Sequence, residues 1–189
     1  MKPIYSVKTL NDDTEQRFFE SKSGIFQHYP SLKQSHPDRV EQFILSRMAL
    51  LDCLSQIGIK TDIARLQTNQ DFQLQEYPQV KVSLSHTEKY GAAALSQTSK
   101  AIGIDIEYAN RTVKPDIQKK ITHKDDVHEH TLLEVWCLKE AGFKTFSFAR
   151  GLRGMEQITI RDNQLHFENH SCSYELGRSG ELYVCTTWI

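Results

Sequence analysis

The 189-residue chain has no long apolar run. No window approaches the roughly 18 consecutive apolar residues that a spanning helix needs, so a transmembrane reading is excluded and no membrane partner is expected. The first sixteen residues turn polar at Asn11-Asp12-Asp13 without first presenting an apolar signal region, and a cytoplasmic location is expected. The four cysteines, Cys53, Cys137, Cys172 and Cys185, are widely spread and form no Cys-x-x-Cys pair. That argues against a structural zinc or a redox motif and for reduced, mostly buried thiols. Neither sign of charge is in excess: 23 basic against 24 acidic side chains leave a formal charge of −1. The bulk positive field of a nucleic-acid binder is missing, and no such partner is expected. Nothing resembles a Gly-rich phosphate loop, which weighs against a nucleotide hydrolase.

What remains is a globular composition, 39% hydrophobic and 25% charged, long enough for one domain or two small half-domains. Apolar residues at helical spacing, Val40, Phe43, Ile44, Met48, Leu51 and Leu54, predict a helix from about Asp38 to Ile57. Ser35 and Asp38 resemble a capping box with Pro37 in the first turn, and Gly58 supplies a left-handed stop. Residues 61–78 read as polar and irregular. Strands are predicted at Val80–Ser85, Tyr90–Ser96 and Ala101–Tyr108. A polar stretch over 109–131 carries Pro115, four lysines, one arginine and three histidines, with a short helix near Ile117. A second helix is predicted over Leu132–Phe148. Strands Gln157–Arg161 and Gln164–Phe167 then flank Asp162-Asn163 as a hairpin, and a turn at Gly177–Gly180 leads into Leu182–Trp188. The element order predicts an α+β fold of two halves, 1–98 and 99–189, each with one long helix and about three strands. No residue-level repeat supports a duplication.

The strand 101–107 alternates, so Ile102, Ile104 and Ile106 take one face while Asp105 and Glu107 share the other. Two carboxylates one pleat apart suit a hard cation such as Mg²⁺, and Gly103 before them would let a ligand approach the backbone. An isolated Asp-x-Glu is more often the wetted face of a half-buried strand. Glu140 and Lys144 lie one helical turn apart and project from one helix face. With Asp105 and Glu107 they would surround a metal with three carboxylates and place a lysine beside the phosphate it holds. Ser83-Leu84-Ser85-His86 ends a strand, where a histidine is able to donate to phosphate. Arg47 sits beside an apolar stripe, so a buried anionic partner is expected for it. His123, His128 and His130, among Asp125, Asp126 and Glu129, match no standard metal spacing.

These pieces, in this order, resemble the 4′-phosphopantetheinyl transferase superfamily. Its signature, Ile/Val-Gly-Ile/Val-Asp-x-Glu followed by Trp/Phe-Ser/Cys/Thr-x-Lys-Glu-Ala/Ser-x-x-Lys, reads here as Ile102 to Glu107 and Trp136 to Lys144. Ser83 to His86 is similar to the family's Asn/Ser-x-Ser-His segment, and Arg150-Gly151-Leu152 to its Gly-x-Gly-Leu element. The length is similar to that of the monomeric surfactin-type branch, in which two pseudo-related halves, each a long helix on a small antiparallel sheet, enclose coenzyme A.

The resemblance implies Mg²⁺-dependent transfer of 4′-phosphopantetheine from coenzyme A to a serine of an apo acyl or peptidyl carrier protein. The released product would be 3′,5′-adenosine bisphosphate. By motif position, Asp105, Glu107 and Glu140 would be the Mg²⁺ ligands, with Lys139 and Lys144 beside the phosphates. Arg47, Ser85 and His86 would hold the 3′-phosphate region of coenzyme A. The family's base glutamate falls nearest Asp126, so Glu140 or Asp126 would take the serine proton. Lys114, Lys119, Lys120 and Lys124 are candidates for docking an acidic carrier helix. Three features depart from the family: the spacer Ile106–Val135 has only 30 residues, an aspartate stands in place of the base glutamate, and the Gly-Lys-Pro segment is absent, since residues 68–78 hold no lysine. Lys81 would have to replace that contact. The departures motivate an alternative, a catalytically silent relative that binds coenzyme A or a carrier without transfer.

Overall fold

The computed structural model describes residues 1–10, 24–68 and 73–189. The chain divides into two compact units, one of Ile4–Gln97 and the other of Met1–Pro3 with Thr98–Ile189. Both are mixed α+β with antiparallel sheets, the fold class expected from the sequence.

The first unit holds strands β1 (Ile4–Thr9), β2 (Lys81–Thr87) and β3 (Tyr90–Ser96) in the order β1-β3-β2, together with helix α1 (Pro37–Gln56). Ile44, Leu45, Met48 and Leu54 of α1 form one core with Val80, Val82, Ala93 and Leu95. The small residues of β3 let α1 come close. Strand β1 falls before the polar turn at Asn11, where no strand was predicted; Asp52 of α1 accepts from Ser6 Oγ at 3.2 Å and pairs with Lys8 Nζ at 2.5 Å. The helix is capped by His36 and not by Ser35: His36 Nδ1 accepts from the backbone N–H of Asp38 at 3.4 Å. Gly58 follows α1 with φ 78°, the left-handed stop that was expected.

In the second unit, β4 (Ile102–Tyr108), β5 (Thr159–Arg161), β6 (Gln164–Phe167), β7 (His170–Ser179) and β8 (Leu182–Trp188) form one sheet in the order β4-β8-β7-β6-β5. Helix α2 (Pro115–Ile121) interrupts the polar stretch, and α3 (Leu132–Thr145) packs across the sheet. The unit therefore has five strands against about three expected of each half, and β7 is the one that the sequence reading does not name. The Asp162-Asn163 hairpin is present, with both residues in the left-handed region that a two-residue turn uses. Gly177 does not turn the chain. It lies inside β7 opposite Val184, and the reversal comes at Gly180. Helix α3 stops at Thr145, three residues before the predicted end, and one turn of 3₁₀ helix, Phe146–Phe148, follows. All four cysteines are buried and none is in a disulfide.

The start of α3 is fixed by a reciprocal cap. Thr131 Oγ1 accepts from the Glu134 N–H while the Glu134 carboxylate accepts from the Thr131 N–H at 2.7 Å. Thr131→Ala should lower stability by about 1 kcal/mol in denaturant titration, the usual effect of deleting such a cap. An unchanged midpoint would show that α3 is held by its packing alone.

Candidate functional site

In the β4–β8 ladder Asp105 stands opposite Cys185 and Glu107 opposite Tyr183. Directly opposed residues share a face, and Cys185 belongs to the core under α3, so both carboxylates point to the helix side of the sheet. Each is only 6% exposed, while Ile102, Ile104 and Ile106 are buried on the other face. The strand is thus covered on both sides and has no wetted face. Cys137 Sγ of α3 donates to Asp105 O at 3.4 Å, stitching helix to strand.

That closeness depends on Gly103. A Cβ there would collide with Ala141 O of α3 and crowd the hydroxyls of Thr145 and Thr187, which bond each other at 2.5 Å. The glycine admits the helix and not a ligand, which corrects the sequence reading. Gly103→Ala should cost about 1–3 kcal/mol in chemical unfolding, as overpacking does; a neutral result would mean that α3 shifts freely.

From α3, Lys144 Nζ donates to Ile104 O at 2.7 Å and to Asp105 Oδ1 at 3.0 Å. Arg111, just past the end of β4, donates from Nη1 to Glu107 Oε2 at 2.5 Å, with its guanidinium 4.2 Å above the Trp136 ring. Arg111 was not singled out from the sequence; its only signal was the four-residue spacing from Glu107. Glu140 lies close enough to Asp105 and Glu107 to feel both charges. Burial pushes the Glu140 carboxyl above its ordinary value and Asp105 adds to the push, against Lys144. Burial likewise raises Glu107, with Arg111 opposing and with Asp105 and Glu140 adding.

Three carboxylates thus face two cations, and the charge of Asp105 makes both Glu107 and Glu140 harder to ionise. Among the described residues no group of three or more His, Cys, Asp or Glu side chains is set as a ready metal cage. Asp105 and Glu107 are instead engaged by Lys144 and Arg111. In kind, however, the donor set fits a hard divalent cation: anionic oxygens, partly buried and mutually repelling.

The other two predicted site residues of this unit lie elsewhere. Lys139 is fully buried, and its Nζ donates to Asp126 Oδ2 at 2.7 Å. Both Asp126 oxygens also accept backbone N–H groups, from His123 and Ile160. The structure brings these two side chains together as an internal pair and does not bring them to the carboxylates.

In the first unit, Ser85 is buried and His86 exposed at the end of β2. Arg47 is 7% exposed, and its guanidinium sits 3.3 Å from the Phe43 ring centroid and 5.5 Å from that of Tyr29. The expected buried anion is not found among the described residues; aromatic faces hold the charge instead. Its Nε is buried without a hydrogen-bond partner there, and burial draws the guanidinium below its ordinary value.

Residues 101–186 match the family model of the 4′-phosphopantetheinyl transferase superfamily. That span contains Asp105, Glu107, Asp126, Lys139, Glu140 and Lys144 and leaves out Arg47, Ser85 and His86. The match supports a transferase role in which phosphopantetheine is the group moved. No curated protein matches the chain. Among the described residues no helix is long and apolar enough to cross a membrane.

A raised carboxyl means that the folded protein binds its proton more tightly than the unfolded chain, so Glu140 contributes a stability that is lost as pH rises from its ordinary value of 4.5 through the folded one. Glu140→Gln should therefore become more stable than the wild type as pH rises through that window in paired thermal melts. Mg²⁺ should raise the melting temperature of the wild type above the window and that of Glu140→Gln less. Parallel pH curves with no Mg²⁺ effect would remove Glu140 from a charge-coupled cation site.

Proposed function

We propose that this chain transfers 4′-phosphopantetheine from coenzyme A to a serine hydroxyl of an apo acyl or peptidyl carrier protein and releases 3′,5′-adenosine bisphosphate. The observation that carries the reading is the gathering of Asp105, Glu107, Glu140 and Lys144 from β4 and α3, inside the segment that matches the family. We place the chain with the surfactin-type branch, acting as a monomer in the cytoplasm. Support for that placement is that each unit packs one long helix on an antiparallel sheet.

In this reading Asp105, Glu107 and Glu140 hold Mg²⁺, which when bound supplies positive charge to the pyrophosphate. Lys144, its side chain 30% exposed beside Asp105, reaches a phosphate oxygen with Nζ and steadies its growing charge. The serine Oγ bonds to the phosphorus that carries pantetheine as the bridging P–O bond breaks and adenosine bisphosphate departs. Glu140 is assigned the serine proton; burial and the Asp105 charge hold its carboxyl above the ordinary glutamate value. Arg47, with a buried Nε lacking a partner, and His86, exposed at a strand end, are assigned to the 3′-phosphate region together with Ser85. Lys114, Lys119, Lys120 and Lys124 are assigned to the acidic carrier. Asp126 and Lys139 have no place in the chemistry, because they are buried on each other.

A second reading, a silent relative that binds coenzyme A or a carrier without transfer, draws on the engagement of Glu107 by Arg111 and of Asp105 by Lys144. Intact-protein mass spectrometry of several apo carriers with coenzyme A and Mg²⁺ separates the two. The transferase should add one phosphopantetheine mass per carrier, and Glu140→Gln should slow this by about 10²-fold or more. No gain on any carrier, with coenzyme A binding intact by calorimetry, would favour the silent relative.

A further inference from the structure

Lys144 and Arg111 neutralise one carboxylate cluster from two sides, and they are held unequally. Lys144 Nζ donates to Asp105 Oδ1 at 3.0 Å and also to Ile104 O at 2.7 Å, so a backbone acceptor keeps it in place when the carboxylate is claimed. Arg111 Nη1 donates to Glu107 Oε2 at 2.5 Å, and its guanidinium carbon lies 4.2 Å from the centre of the buried Trp136 ring. One carboxylate and one ring face hold it, and its side chain is 44% exposed against 8% for Glu107. Its backbone is better fixed than its side chain, because Arg111 N donates to Tyr108 O at 2.9 Å in the turn that follows β4. The guanidinium is able to leave Glu107 without carrying the chain away.

Charge decides which partner yields. Asp105, Glu107 and Glu140 bring three negative charges when ionised, and the charges of both Lys144 and Arg111 reach Glu140. A divalent cation on the carboxylates would turn a deficit of one positive charge into an excess of one. Like charges repel far more strongly in a buried cluster than in water, so the cation with the weakest hold gives way. That cation is Arg111, and the carboxylate that holds it is one the ion needs.

We propose that Arg111 is the resident counter-ion of Glu107, displaced by the divalent cation and passed to the phosphate oxygens of the anionic substrate. The turn keeps it beside the site, and the planar fork of a guanidinium matches a phosphate as well as a carboxylate. The excess charge that the ion creates is then answered by the substrate. Displacement rests on the cation site described above; the phosphate part rests on the transferase reading.

Two variants separate charge from shape. Arg111→Met keeps an apolar stem over Trp136 and removes the charge, while Arg111→Lys keeps the charge. In calorimetric titration of the full chain with Mg²⁺, Arg111→Met should bind about tenfold more tightly than the wild type and Arg111→Lys close to it. Equal or weaker binding by Arg111→Met would overturn the proposal and make Arg111 a support for Glu107. A second readout uses the wild type alone and survives any failure of the variants to fold. Modification by phenylglyoxal, mapped by mass spectrometry, should speed up at Arg111 by about threefold or more when Mg²⁺ is added, and stay constant at exposed Arg161. An unchanged or slower rate at Arg111 would overturn displacement. With Mg²⁺ saturating, coenzyme A should bind Arg111→Met about tenfold more weakly than the wild type; equal affinity would overturn the phosphate part. A wild type that binds Mg²⁺ with Arg111 indifferent leaves the cation site standing and sinks the proposal alone. Should neither the wild type nor Arg111→Met bind Mg²⁺, the cation site falls and the proposal with it.

Discussion

Mutual repulsion among Asp105, Glu107 and Glu140 is the constraint around which the second unit is arranged. Carboxylates resist leaving water, and they resist it more when another stands close by. The fold nonetheless turns two of them to the helix side of β4 and brings a third from α3. Lys144 answers Asp105 while also satisfying Ile104 O, and Arg111 answers Glu107 while lying over Trp136. Gly103 is small so that the helix carrying Glu140 and Lys144 comes close enough for this. Two cations do not cancel three anions, and the remaining charge is what an added cation would relieve. A site that is uncomfortable by itself and eased by its ligand binds that ligand with the difference.

Much of this was legible in the chain because its signals are local. The alternation of residues 102–107 and the one-turn spacing of Glu140 and Lys144 each define a face, and the structure turns those faces toward each other. What escaped depends on partners distant in sequence. The N-terminal strand β1 pairs with β3, more than eighty residues on, and Asp52 of α1 receives Ser6 and Lys8. Strand β4 looked half-wetted because alternation is blind to what covers the second face. Gly177 looked like a turn residue; within β7 it is simply tolerated opposite Val184. The capping box at Thr131 is local and stands in the sequence as Thr-x-x-Glu.

Arg47 shows the same limit in another form. A charge beside an apolar stripe demands compensation, and a carboxylate or phosphate is the obvious source. Phe43, on the same helix one turn before it, and Tyr29 supply it instead with their ring faces. Ring faces satisfy the flat side of a guanidinium but not its in-plane N–H groups. Tyr29 also hydrogen-bonds the guanidinium through its side chain, and among the described residues the buried Nε is the atom left over.

The adjacent residues Lys139 and Glu140 divide two tasks between them because of where α3 lies. β4 and β5 are opposite edges of the five-stranded sheet, and the helix runs across it between them. Neighbouring positions on a helix point about a quarter-turn apart, so Glu140 faces the β4 carboxylates while Lys139 meets the segment tied to β5. The polar stretch that starts beside β4 must therefore cross the sheet before it enters α3. Its 30-residue spacer manages this with one short helix, anchored at Ile121, and one buried carboxylate, Asp126. A short spacer has little slack, so where it is fastened decides what it presents.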